Sequence, residues 1–139
     1  MFEYIFVKER AADWQEAIRM AAKPLLDKEM ITENYINAMI ESLNKTGFYI
    51  VIADGVAMPH ARPQDGVMKT GLSLMKLNET VMFGDNPIFM VLVLAAADNE
   101  AHIDSLTKIA GFLDNEERLK TLKSITDEEK FREFVLKNI

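Results

Sequence analysis

The feature that most restricts this chain is the run from Pro87 through Ile88, Phe89, Met90, Val91, Leu92, Val93, Leu94, Ala95 and Ala96 to Ala97. It is the longest apolar run in the sequence, and no face of it suits water. It falls far short of the roughly 20 apolar residues that a membrane-spanning helix needs. A run of this kind is hidden when it forms a strand in the middle of a sheet covered on both faces. The expected architecture is therefore an α/β domain, with helices packed on the sheet. A length of 139 residues suits one such domain over residues 1–139.

The flanking patterns supply the helices and further strands. Phe2 to Val7 reads as a first strand. Asp13 is placed to cap a helix carrying Ala17, Ile18, Ala21 and Leu25 at helical spacing, and Pro24 is expected to kink or split it. Thr32 is a second cap candidate, ahead of the continuous stripe Tyr35, Ile36, Met39, Ile40 and Leu43. Gly47 should end that helix in a left-handed turn. Phe48 to Ala53 reads as a buried strand, Asp54 to Gly71 as a long loop, and Leu72 to Leu77 as a strand. Asn78 to Asn86 reads as a connector with a turn at Gly84–Asp85. Ile103, Leu106, Ala110 and Leu113 mark a helix starting near Asn99 to His102. Leu119, Leu122 and Ile125 mark a short one after it. Thr126 with Glu129 forms a capping box ahead of Phe131, Phe134 and Val135.

Composition excludes several classes. The net charge is −6. Nucleic-acid binding requires a basic stripe that displaces counterions, which this balance opposes, and docking on anionic lipid is opposed for the same reason. A basic protein partner is compatible. With no cysteine, disulfides, zinc–thiolate sites and thiol nucleophiles are out. Glu3 and Glu9, with no long apolar stretch between them, do not make a signal peptide, so the expected compartment is the cytoplasm.

Two histidines remain as the chemically versatile side chains. His60 lies in Ala57-Met58-Pro59-His60-Ala61-Arg62-Pro63, inside the long loop. Pro59 and Pro63 fix the backbone around it, so the ring is presented stiffly. His102 follows the buried strand at the start of a helix, where open sheets place ligand sites. A neutral imidazole nitrogen is available at cellular pH, and a phosphorus–nitrogen bond is readily cleaved. Phosphoryl transfer asks mainly for positioning and for donors around the phosphoryl oxygens. Free N–H groups at the His102 helix start, the His102 ring and Arg62 are candidate donors. Asp54, Asp65, Asp98 and Asp104 with the histidines also offer oxygen and nitrogen ligands, yet no H-x-x-x-H or H-x-x-E spacing supports a metal hydrolase. A plain binding module with two structural histidines is the third reading.

The segment Ala53 to Pro63 resembles the active-site loop of the fructose/mannitol-type enzyme IIA domains of the bacterial sugar phosphotransferase system. Their Gly-x-Ala-x-Pro-His pattern is matched by Gly55, Ala57, Pro59 and His60. The resemblance continues through the helix pair before the loop, the strand Ile88 to Ala96 and the stretch His102 to Ala110. The Met58-to-Pro63 wording, with Asp65-Gly66 and Thr70-Gly71-Leu72, is most like the ascorbate-type branch. Mannitol- and nitrogen-type members usually carry an arginine near the end of the second helix, where this chain has Asn44. Arg62 is the sole arginine between Arg19 and Arg118 and is the candidate to replace it.

The resemblance implies a mixed sheet flanked by helices and a phosphohistidine intermediate on His60, with His102 as the second functional histidine. It implies phospho-HPr as donor, a IIB component as acceptor and a membrane IIC component served indirectly. No metal or organic cofactor is implied. A regulatory phosphoprotein of the same fold, the nitrogen-type IIA, is the alternative.

Overall fold

The apolar run forms strand β5 (Asn86–Ala95) of a computed structural model that describes residues 2–139. The other elements are, in chain order, β1 (Tyr4–Lys8), α1 (Trp14–Asp27), α2 (Glu33–Thr46), β2 (Val51–Ala53), β3 (Val56–Ala57), a 3-10 turn (Pro63–Asp65) and β4 (Gly71–Phe83). After β5 come α3 (Asn99–Leu113), α4 (Glu116–Ser124) and α5 (Glu128–Asn138). The strands form one five-stranded mixed sheet in the order β1-β4-β5-β3-β2, so β5 is the middle strand. Its pairing with β4 is antiparallel and with β3 parallel.

Burial of β5 on both sides follows from the alternation of its side chains. Val91, Val93 and Ala95 pack into a core with α1 and α2, while Met90, Leu92 and Leu94 pack into a second core with α3, α4 and α5. The fold is thus a single α/β domain with a helical layer on each face of the sheet. The outer edge of β1 is covered by α5: Val7 N–H donates to Glu128 Oε1 at 3.0 Å, and Arg132 Nη2 donates to the Ile5 carbonyl at 2.9 Å. Open edges invite pairing with other chains, and these two side chains block this one.

Most helices form where the apolar spacing places them. The five-residue stripe of α2 is wholly buried, and Asp13 caps α1 by accepting from Glu16 N–H at 2.8 Å. Other expectations change. Pro24 does not split α1. It sits in the last turn, where it removes one bond, and the buried face of Ala17, Ile18, Ala21, Ala22 and Leu25 holds the helix on the sheet. Gly47 has the positive φ of +87° but an extended ψ of −170°, so it ends α2 without a left-handed helical turn. Phe48 to Ile50 lie outside the sheet, and β2 is a half-exposed edge strand with Ile52 41 % exposed. The long loop contains β3, too short to show a period. Asn78 to Thr80 continue β4 through a register shift, so the connector shrinks to the Gly84–Asp85 turn. The cap of α5 is Asp127, one residue beyond Thr126. Ile103 is 61 % exposed, because the buried face of α3 is Ile109, Phe112 and Leu113.

Val93 is fully buried at the centre of this sheet. Val93→Asp should lower stability by roughly 3–7 kcal/mol, the scale of a polar group buried without a partner. Urea unfolding measures it; a midpoint unchanged from the parent would place β5 outside the core.

Candidate functional site

Two parallel neighbours bring the histidines together. β3 and β5 run side by side, with Val56 opposite Met90 and Ala57 opposite Val91. Both chains therefore leave the sheet at the same edge. Met58 N–H still donates to the Ile50 carbonyl, at 2.8 Å, but Pro59 has no N–H to continue a ladder. The chain leaves the sheet there, and His60 is the next residue. On the neighbouring strand, Asp98 starts α3 by accepting from Ala101 N–H at 2.8 Å, which puts His102 in the first turn. The two imidazole rings lie edge to face, with centroids 5.7 Å apart and planes at 62°.

The His60 ring is oriented from behind. Its Nδ1 is 3.0 Å from the Met58 carbonyl oxygen. A carbonyl only accepts, so Nδ1 carries the proton and Nε2 of the neutral ring holds the free lone pair. His60 is half-buried, so the ring is supported yet reachable.

The following loop is strapped to the start of α2. Thr32 N–H donates to the Gly66 carbonyl at 2.9 Å, Met68 N–H to the Met30 carbonyl at 2.8 Å, and Asn34 Nδ2 to the Asp65 carbonyl at 2.8 Å. Gly66 is required here: its φ is +135°, and a Cβ would overlap Thr32 Oγ1. To the stiffness of the two prolines the structure thus adds these bonds, which hold the loop just beyond Arg62.

Tyr35 on α2 is the residue that pattern reading missed. Its ring belongs to the apolar stripe, so its spacing marks it as core. The hydroxyl, however, donates to the Leu94 carbonyl at 2.6 Å and accepts from Ala61 N–H at 3.1 Å. Burial pushes its pKa up to about 12. A tyrosine where phenylalanine would suffice for packing is the available sequence signal, since a buried O–H needs a partner.

His102 is a weaker base than an ordinary histidine. Burial disfavours its charged form, and the neighbouring His60 adds repulsion. Arg62 is directed elsewhere: it grips Asp65 through Nε and Nη2, at 3.3 and 3.1 Å, and its side chain is 73 % exposed. The paired guanidinium holds the Asp65 carboxyl below its usual range. No hydrogen bond joins Arg62 to either histidine among the described residues. Asp98 is occupied as a cap and Asp65 by Arg62. Among the described residues, no three His, Asp or Glu side chains gather as a metal site. Asn44 is exposed on α2.

The family model described as "Phosphoenolpyruvate-dependent sugar phosphotransferase system, EIIA 2" matches residues 2–138. The mannitol-specific cryptic phosphotransferase enzyme IIA component of Escherichia coli (strain K12) is 42 % identical over 133 residues, covering 94 % of this chain and 90 % of that protein. The ascorbate-specific PTS system EIIA component of the same strain is 30 % identical over 135 residues, covering 94 % and 88 %. Among solved structures, the solution structure of the mannitol-specific cryptic enzyme IIA from Escherichia coli has a TM-score of 0.89 at 41 % identity, covering 96 % of this chain and 92 % of that one. The complex of enzyme IIAMTL and phosphorylated enzyme IIBMTL from Escherichia coli has a TM-score of 0.76 at 28 % identity, covering 98 % and 93 %.

The histidine pair predicts a specific titration. A histidine whose folded pKa is depressed binds its proton later than in the unfolded chain. Stability is then retained above the unfolded value of about 6.5 and declines as pH falls through it toward the lower folded value. By imidazole NMR, His102 should titrate below the ordinary value. In His60→Ala it should move part of the way back, because burial remains. No movement would mean the rings do not interact.

Proposed function

The chain belongs to the EIIA 2 family of the phosphoenolpyruvate-dependent sugar phosphotransferase system, and we propose that it relays a phosphoryl group on His60 Nε2. The observation that carries this is the Met58 carbonyl on Nδ1, which leaves Nε2 as the one basic nitrogen of a positioned ring. Phospho-HPr is the donor and a IIB component the acceptor. The IIB partner is supported by the IIA–IIB complex of the mannitol relative. Ile103, exposed beside His102, suits a protein partner. Among the described residues no helix is long and apolar enough to cross a membrane, in keeping with a relay protein working in the cytoplasm and serving a membrane IIC component through IIB. The cargo is a sugar or sugar derivative of the mannitol or ascorbate type. The regulatory alternative loses ground because both relatives described above are named for a sugar-specific system.

In the transfer step the Nε2 lone pair attacks phosphorus, the donor's nitrogen–phosphorus bond breaks, and its electron pair returns to the donor ring. His60 keeps its Nδ1 proton, held by Met58, so the ring can later leave phosphorus as a neutral imidazole. Charge spread over the three phosphoryl oxygens calls for donors. His102 supplies a ring N–H from across the 5.7 Å separation, and the incoming negative charge favours its protonated form, against the burial and His60 repulsion that lower its pKa. Arg62 supplies a guanidinium by turning from Asp65. The Arg62 side of the pair is 73 % exposed, so the guanidinium can turn outward while Asp65 keeps its bond to the Arg62 N–H.

Rapid-quench transfer from phospho-HPr, and onward to IIB, tests these roles. His60→Ala should abolish transfer. His102→Ala and Arg62→Ala should stay folded by circular dichroism and slow transfer by about a hundredfold, the usual loss for one positioned donor. Wild-type rates in both would remove the electrostatic roles, and a label surviving His60→Ala would remove the carrier.

A further inference from the structure

We infer that Tyr35 is a positioning residue for phosphoryl transfer, setting the separation of His60 from His102 through its buried hydroxyl. The inference rests on the transfer reading above. The strand pairing that aligns the two segments stops early. β3 ends at Ala57, opposite Val91, so the last residues of β5 have no strand on that side. His60 lies three residues beyond Ala57, and His102 lies beyond Val91 at the same end of the ladder, by the rest of β5 and the entry to α3.

The Tyr35 hydroxyl spans this gap. It takes a hydrogen bond from Ala61 N–H, the peptide directly after His60, and gives its single proton to the Leu94 carbonyl. The Ala61 carbonyl, at 3.4 Å, is a poorer acceptor than Leu94 at 2.6 Å. A second tie, Ala97 N–H to Thr70 Oγ1 at 3.0 Å, joins the end of β5 to the far end of the loop and does not reach His60. The ring itself is 1 % exposed and fixed by α2, so the oxygen is a rigid anchor. With its ionisation pushed up to about 12, the hydroxyl keeps its proton wherever the histidines work. The chain before His60 is meanwhile held two residues upstream, through the Met58 N–H bond to the Ile50 carbonyl. Tyr35 therefore completes a clamp on both sides of the nucleophile.

Tyr35→Phe keeps the packed ring and removes both hydrogen bonds. Transfer from phospho-HPr should slow by about 10- to 100-fold, the cost of a small misplacement of reacting groups. Two readouts separate positioning from lost stability. The His102 titration should move up toward the ordinary histidine value as His60 drifts from it. The Ala61 amide, which donates to the Tyr35 hydroxyl in the wild type, should exchange faster. Val135→Ala, a core truncation on α5, is the comparator for destabilisation alone and should leave the rate and both readouts unchanged. A Tyr35→Phe protein with the wild-type transfer rate and His102 titration overturns the inference, and so does a wild-type Ala61 amide that exchanges freely. A wild type that takes no label from phospho-HPr overturns the transfer reading instead; the exchange and titration results then still decide whether Tyr35 holds the two histidines together.

Discussion

The chemistry of this molecule depends on two residues of parallel pairing, Val56 with Met90 and Ala57 with Val91. An antiparallel neighbour would send the two chain exits to opposite ends of the sheet. Parallel pairing sends them to one end, and the loop from β3 and the helix after β5 then carry His60 and His102 to a common place. The pairing is secured from below by the Gly55 carbonyl, which accepts from Phe89 N–H at 2.8 Å and Met90 N–H at 3.2 Å. Pro59 ends it from above. A strand this short contributes little area, so its register is set mainly by β5, whose burial on both faces leaves no freedom to slip.

Around that frame the site is built from neutral groups and backbone. The Met58 carbonyl, facing Nδ1, leaves Nε2 as the nitrogen of His60 with the free lone pair. The Tyr35 hydroxyl bridges two backbone groups. The formal charges, Arg62 and Asp65, neutralise one another at the surface. Such a site presents no strong field of its own, which suits the carrier role proposed above. Away from the site, the buried Lys76 is spent on structure. Its ammonium donates to the Ile125 carbonyl at 2.7 Å and to Asn78 Oδ1 at 2.8 Å, tying β4 to the junction of α4 and α5, and burial lowers its pKa.

Much of this was legible in the sequence wherever one physical effect dominated. The apolar run could only be a central strand. The stripe from Tyr35 to Leu43 could only be a buried helix face. The flanking prolines marked His60, and its pairing with His102 followed once the resemblance to the IIA domains was drawn. What stayed hidden depended on contacts distant in sequence. β3 has two residues and no detectable period; its strand identity comes from β5. β4 runs on past Leu77 because β5 is there to pair with it, although the polar Asn78, Glu79 and Thr80 look like a connector. Ile103 counted as apolar spacing, but the helix turns that position to solvent. Tyr35 was visible as core and invisible as a hydrogen-bonding bridge, because Ala61 and Leu94 lie 26 and 59 residues away.

The central claim is that the phosphoryl group sits on Nε2 of His60, and nitrogen–phosphorus coupling in the phosphorylated, 15N-labelled protein addresses it most directly. The expected result is a single phosphorus signal coupled to Nε2 of His60, with Nδ1 still protonated. Coupling to Nδ1 of His60, or to either nitrogen of His102, would contradict it.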